Sequence, residues 1–331
     1  MDKKFKNMRA IIIGCGAIGG HIAYCLYERG FDVLIIAKQD TYERIKKNGL
    51  RVQINKNKKI LKNKCIKVNN KFKVYRSLED LKGLKIDFIF ITVKLKDYNS
   101  RLIKTISKLA DKNTAIIPPC TNIPLWWINN FFKNKIKNKR KNYFKIENII
   151  GMTMWLSSEK KTPNKILVKH IQRGYPLKAI SAKMNKKADK LRSVFRSVSK
   201  SPLVKNIYSE IYIKSLNALA FNMAALYYQQ NNKSLKKNKK AMQMVGKIML
   251  EGEKIMNSLK IKHHQNYKER INQTLSSSVH TMSMLTDFKK RKELELKYLW
   301  GSFDSVSKIS KIKMPFSKNI YTNLIKKLKI K

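Results

Sequence analysis

The first patterned stretch of the chain is a β-branched apolar run, Ala10 to Ile13, that leads straight into Gly14, Gly16 and Gly19. A helix-period pattern follows and stops at Gly30, and a second apolar run spans Val33 to Ala37. This reads as strand, tight turn, helix and parallel strand. Thr41 to Lys47 predicts a short helix closed by Gly49, with Asp40 as its N-cap. LRVQI and KCIKV predict a strand pair joined by a Lys/Asn-rich connection. IDFIFITV (86–93) is apolar throughout, as expected of a strand buried on both faces of a parallel sheet. An amphipathic helix is predicted from Asp97 to Asp111, then a strand at TAIIPP. NIIGMTMWLSS and KILVKHI predict two more strands, and Asn185 to Val198 a helix. From Ser209 the pattern becomes helical, so domains are expected at 1–203 and 204–331.

The glycine spacing gives the first candidate chemistry. Gly14 permits the turn, Gly16 allows close backbone approach to a pyrophosphate, and Gly19 lets the helix pack on the strand. The helix N-terminus would then face phosphates with its free N–H groups and positive dipole end. Cys15 sits where the turn needs a small side chain. Binding a ribose 2′-hydroxyl calls for an acid about twenty residues beyond the glycines, and the chain has Lys38 there. A cation suits a 2′-phosphate, which favours NADP(H), while Asp40 leaves NAD(H) open. Lys94 and Lys96 end the buried strand on the ligand side of such a sheet. Trp126 and Trp127 are expected to pack a helix rather than stack on a base.

Composition changes this picture little. The chain has 331 residues, 43% of them hydrophobic, and a formal net charge of +52. That charge could serve polyanion binding, yet the cations are spread along the chain and Lys, Asn and Ile are enriched together, as a codon bias would produce. A positive field still gathers anionic cofactors and substrates. The densest basic run, 133–145, reads as a solvated loop. Cys15, Cys25, Cys65 and Cys120 have no metal or disulfide spacing, which fits a reduced cytoplasm and no metal. No apolar run is long enough to span a membrane.

In the second half, Lys214, Ala218 and Asn222 recur every four residues and share a face of a largely apolar helix. Polar groups there must reach a cleft or find partners. Ser283 lies twelve residues before Glu295, at the start of a further helix expected to run to Gly301.

Taken together, GCGAIG, Lys38, Val93-Lys94, T-N-I-P, the lysine-then-asparagine helix and S-M-L-x-D followed by Glu295 resemble the ketopantoate reductase (2-dehydropantoate 2-reductase) family over nearly the full chain. The resemblance implies an α/β Rossmann N-terminal domain and a mainly α-helical C-terminal domain of the 6-phosphogluconate dehydrogenase C-terminal type. It also implies NADPH-dependent reduction of 2-dehydropantoate to (R)-pantoate, on the route to pantothenate and coenzyme A. By the same resemblance Lys214 is the general acid and Glu295 the acidic residue of the site. Asn222, Ser283 and Asn232 contact substrate. Gly14, Cys15, Gly16, Ala17, Ile18, Gly19, Lys38, Lys94 and Thr121 contact the cofactor, with Ser157 a further candidate. The chain departs from the family at Thr121-Asn122, where Asn-Gly is usual, and at Ala218, where Asn is usual. Asn217 and Asn122 are expected to compensate only partly. The expected partner is a small anionic 2-keto acid, with a homodimer left open. Two alternatives remain: a reductase of another 2-keto acid, and a decayed nucleotide-fold protein that holds RNA or another polyanion.

Overall fold

The computed structural model describes residues 5, 7–56, 59–131, 145–262, 265–276 and 281–329. All of the basic run 133–145 except Lys145 lies outside them. The chain divides into two compact units, Met1–Pro119 with Arg140–Ile207, and Cys120–Lys139 with Tyr208–Lys331.

The first unit is built on β1 (Arg9–Ile13), α1 (Ala17–Glu28) and β2 (Asp32–Ile36). β1 and β2 run parallel, from Arg9 opposite Asp32 to Ile13 opposite Ile36. Next come α2 (Gln39–Asn48), β3 (Leu50–Lys56), β4 (Lys59–Ile66), β5 (Phe72–Tyr75), β6 (Phe88–Ile91), α3 (Ser100–Leu109) and β7 (Ala115–Ile117). Five parallel strands form one sheet in the order β5-β2-β1-β6-β7. Alternate side chains enter two cores: Ile12, Val33, Ile35, Phe88 and Phe90 on one face, Ile11, Ile13, Leu34, Ile89 and Ile91 on the other. Burial of both faces is why these strands read as unbroken apolar runs. From the central β1 the chain goes to β2 on one side and β6 on the other. That reversal leaves a crevice at the C-terminal strand ends.

The strand β5 carried too weak an alternation to be expected. Two helix starts also differ from the sequence reading. Lys38, not Asp40, is the N-cap of α2, and Asp40 falls in its first turn. α3 begins only at Ser100, because Leu95–Asp97 forms a separate 3-10 turn and the Asn99 side chain accepts from Leu102 N at 2.9 Å.

The chain continues through β8 (Pro119–Cys120), α4 (Leu125–Phe131), β9 (Ile150–Thr153), β10 (Trp155–Thr162), β11 (Lys165–Gly174), β12 (Leu177–Ala179) and α5 (Asn185–Val198). NIIGMTMWLSS is therefore two strands. β10 joins β11, β3 and β4, whereas β9 lies between β12 and β8. The break falls at Met154, between Thr153 N bonded to Pro176 O and Trp155 paired with Gly174.

The second unit is helical: α6 (Ile207–Tyr228), α7 (Asn232–Lys237), α8 (Lys239–Ser258), α9 (Tyr267–Ser276), α10 (Ser283–Lys289), α11 (Leu296–Ser310) and α12 (Pro315–Lys327). α4 belongs here, although it falls within 1–203. Trp126 and Trp127 are buried, the Trp127 ring packs against Tyr208 and Tyr212, and its Nε1 donates to Tyr208 O at 3.3 Å. The helix expected from Ser283 to Gly301 is two helices, broken where Arg291 takes φ +50°. Gly301 lies inside α11. Among the described residues no helix is long and apolar enough to cross a membrane.

Candidate functional site

In the first unit the site is made of backbone. Gly14 has φ +94°, and a Cβ there would lie 2.8 Å from Val93 Cγ1. A Cβ on Gly19 would lie 2.1 Å from the Gly14 carbonyl oxygen, so α1 can start this close to β1 only with glycine. Gly16 is different: a Cβ there meets nothing within 4 Å. Its side of the turn is open. Gly16 is also the N-cap of α1 and offers no side-chain bond to the first-turn N–H groups, which include those of Ala17, Ile18 and Gly19. Such a turn fits a pyrophosphate.

Two groups hold the turn in shape. Gly14 N donates to Ile36 O at 2.9 Å, and Thr92 Oγ1 lies 2.6 Å from Gly14 O and 3.0 Å from Ile13 O, donating to these carbonyls. Thr92 was not anticipated; its only sequence signal is a hydroxyl at the end of a buried strand. Burial pushes the Cys15 thiol up to about 12, only partly offset by the charge of Lys160. It therefore stays neutral at the turn.

Of the other candidates, Lys38 and Lys94 follow the C-terminal ends of β2 and β6. Lys38 starts α2 with its side chain 87% exposed and its ammonium 3.7 Å from Asp97 Oδ1. Lys94, half-buried, is the N-cap of the 3-10 turn that contains Asp97. Ser157 is on β10 opposite His170, in the second sheet.

In the second unit the candidates are side chains. Between Ser209 and Leu226 every residue of α6 is buried except Lys214 and Ala218, which keep partial exposure. These two positions, one turn apart, are the open stripe of an otherwise enclosed helix. Although some of its surface is accessible, Lys214 is desolvated enough to bring its ammonium pKa down from 10.5 to about 8.

Asn222, one turn further, is 4% exposed. Its Nδ2 donates to Ala218 O at 2.7 Å, and its Oδ1 accepts from Met284 N at 3.2 Å. The bond to Met284 fastens the first turn of α10, and hence the exposed Ser283, to α6. Asn217 faces elsewhere: its Oδ1 accepts from Thr274 Oγ1 on α9 at 3.1 Å. It does not stand in for an asparagine at 218. Asn122 is buried and Thr121 exposed. Glu295, half-buried, is the N-cap of α11, its carbonyl accepting from Leu299 N at 3.0 Å. Asn232, first residue of α7, is 1% exposed, and neither its amide oxygen nor its amide nitrogen has a hydrogen-bond partner among the described residues. That unmet bonding is a signal only coordinates could supply.

Comparison with known proteins agrees with this layout. The family model "Ketopantoate reductase PanE/ApbA" matches residues 10–175, and "Ketopantoate reductase PanE/ApbA C terminal" matches 206–328. A 2-dehydropantoate 2-reductase of Mesorhizobium japonicum is 22% identical over 315 residues, covering 91% of this chain and 92% of that protein. The solved 2-dehydropantoate 2-reductase of Geobacter metallireducens superposes with a TM-score of 0.80 at 20% identity, over 97% of this chain and 99% of that one. A D-mandelate dehydrogenase, solved with NADH and anilino(oxo)acetate, gives a TM-score of 0.78 at 22% identity over 98% and 100%. With both family models matched and the Rossmann-like and helical units in place, the chain belongs to the ketopantoate reductase family of nicotinamide-dependent oxidoreductases.

Proposed function

We propose that this protein reduces 2-dehydropantoate to (R)-pantoate with NADPH, on the route to pantothenate and coenzyme A. The dinucleotide would supply hydride to the keto carbon. Gly14 to Gly19 would hold its pyrophosphate, with Lys38, Lys94 and Thr121 as further contacts.

As the carbonyl oxygen gathers negative charge, the Lys214 ammonium stabilises it and donates the proton that completes the alcohol. An acid with a pKa of about 8 is charged at neutral pH yet gives up its proton more readily than an ordinary lysine. This is the observation that carries the reading: the one cation on the open stripe of α6 is tuned toward working pH. The unmet amide of Asn232 supports a polar ligand in this unit, since leaving such a group unbonded costs about 1 to 3 kcal/mol. Glu295, Ser283 and Asn222 complete the set, Asn222 with one amide hydrogen left beyond the bond to Ala218.

A second reading, reduction of another 2-keto acid, is favoured by Ala218, which offers no hydrogen bond where the family usually has Asn. A mandelate dehydrogenase with this fold also binds an aryl-substituted oxoacetate and NADH. The test is nicotinamide oxidation by the purified protein with NADPH and with NADH, over a panel of 2-keto acids. Fast turnover of NADPH with 2-dehydropantoate alone is expected. Turnover confined to another keto acid selects the second reading. Turnover with none, together with a salt-dependent RNA mobility shift, overturns both in favour of polyanion binding.

A further inference from the structure

Lys160 ties together two elements far apart in sequence. It comes from β10, yet its Nζ lies 2.6 Å from the hydroxyl of Thr41, 119 residues away in sequence. Thr41 is 7% exposed, so the oxygen that receives the ammonium is fixed by packing. It belongs to the first turn of α2, three residues past Lys38, where the chain leaves the C-terminal end of β2. The charge of Lys160 is also felt at Cys15, inside the glycine turn. The ammonium thus stands at the start of α2, whose positive dipole end adds to it.

This is the corner of a parallel sheet where an acid would bind ribose hydroxyls and a cation selects a 2′-phosphate. Lys38, the residue that the sequence nominates, already has its ammonium close to the Asp97 carboxylate. We infer that Lys160 binds the 2′-phosphate of the dinucleotide and is the main determinant of a preference for NADPH over NADH. The inference rests on the dinucleotide reading of the glycine turn. A phosphate between an ammonium held by Thr41 and the N-terminus of α2 gains charge-assisted bonds that a bare ribose hydroxyl cannot match.

The test is a pair of fluorescence titrations, NADPH and NADH separately, on the wild type and on Lys160→Gln, which keeps a donor for Thr41 but removes the charge. The expected result is a rise of about tenfold in Kd for NADPH with a change of at most about twofold for NADH. Lys160→Arg should restore the NADPH affinity, and the ³¹P resonance of the bound 2′-phosphate should shift in Lys160→Gln but not in Lys160→Arg. Equal weakening of both cofactors would overturn the inference, since Lys160 would then serve the pyrophosphate or only strap α2 to β10. Unchanged NADPH affinity would overturn it as well. A wild type that binds neither cofactor would instead defeat the dinucleotide reading beneath it.

Discussion

The candidate groups of the two units are built from different materials. In the first unit the glycine turn presents main-chain N–H groups, and its shape depends on the absence of side chains at Gly14 and Gly19. In the second unit the helix α6 presents Lys214 as a side chain among neighbours that desolvate it, and Asn222 braces a second helix beside it. A backbone site tolerates change at most positions and fails wherever a Cβ collides. A side-chain site fails at the chemistry while its scaffold persists. Substitutions in the two units should therefore separate binding, folding and turnover in different combinations.

The largest effect is expected at Lys214. Replacement by Ala should lower kcat by about 10³-fold, in the range of a lost general acid, while NADPH affinity measured by fluorescence stays near wild type. A loss of cofactor binding with no specific loss of turnover would break the contrast. The same lysine sets a pH dependence. It is charged below about 8 and loses its proton as pH rises through that value. Keto acid reduction should accordingly be level toward neutral pH and fall about tenfold per unit above pH 8, and that limb should vanish from the residual rate of Lys214→Ala.

Next in size is the glycine pair. Gly19→Ala places a Cβ against the Gly14 carbonyl and should cost about 3 kcal/mol in denaturant unfolding, as an overpacked site does. Gly16→Ala meets open space, so its unfolding midpoint should match wild type while dinucleotide affinity drops. If both variants unfold alike, the turn is a structural corner and not a cradle.

Asn222→Ala should have a moderate cost, about 1 to 3 kcal/mol of stability from the lost bond to Met284 N. It should also raise KM more than it lowers kcat, because it frees the helix that carries Ser283. The smallest change expected is at Ala218→Asn, which restores a donor and acceptor on the open stripe. It should move the ratio of kcat/KM between 2-dehydropantoate and other 2-keto acids by a few-fold, with stability unchanged.

Much of the first unit was legible before any coordinates. β1, α1, β2, β6 and α5 fall where the pattern predicts them, because strands buried on both faces and helices with a regular apolar period carry strong local signals. β5 escaped notice as a four-residue edge strand. The break at Met154 escaped because it is imposed by partners distant in sequence, Pro176 and Gly174, and the one at Arg291 because a positive φ at a non-glycine residue has no signal in the apolar pattern. The expectation that Asn217 would partly replace an asparagine at 218 fails for the same kind of reason: Thr274, on another helix, holds its side chain.

By itself the sequence determined the first strand-turn-helix-strand unit with its glycine turn, and the shared helix face of Lys214, Ala218 and Asn222, since each depends on residues close together along the chain. Only the tertiary structure decided which of those groups are desolvated, which are already bonded, and which residues arrive from far along the chain. It lowered the pKa of Lys214, engaged Asn222 with Met284, left the Asn232 amide unbonded among the described residues and brought Lys160 to Thr41. Charge and hydrogen bonding at a site depend on everything within a few ångströms, and a folded chain fills that sphere with residues its local pattern does not name.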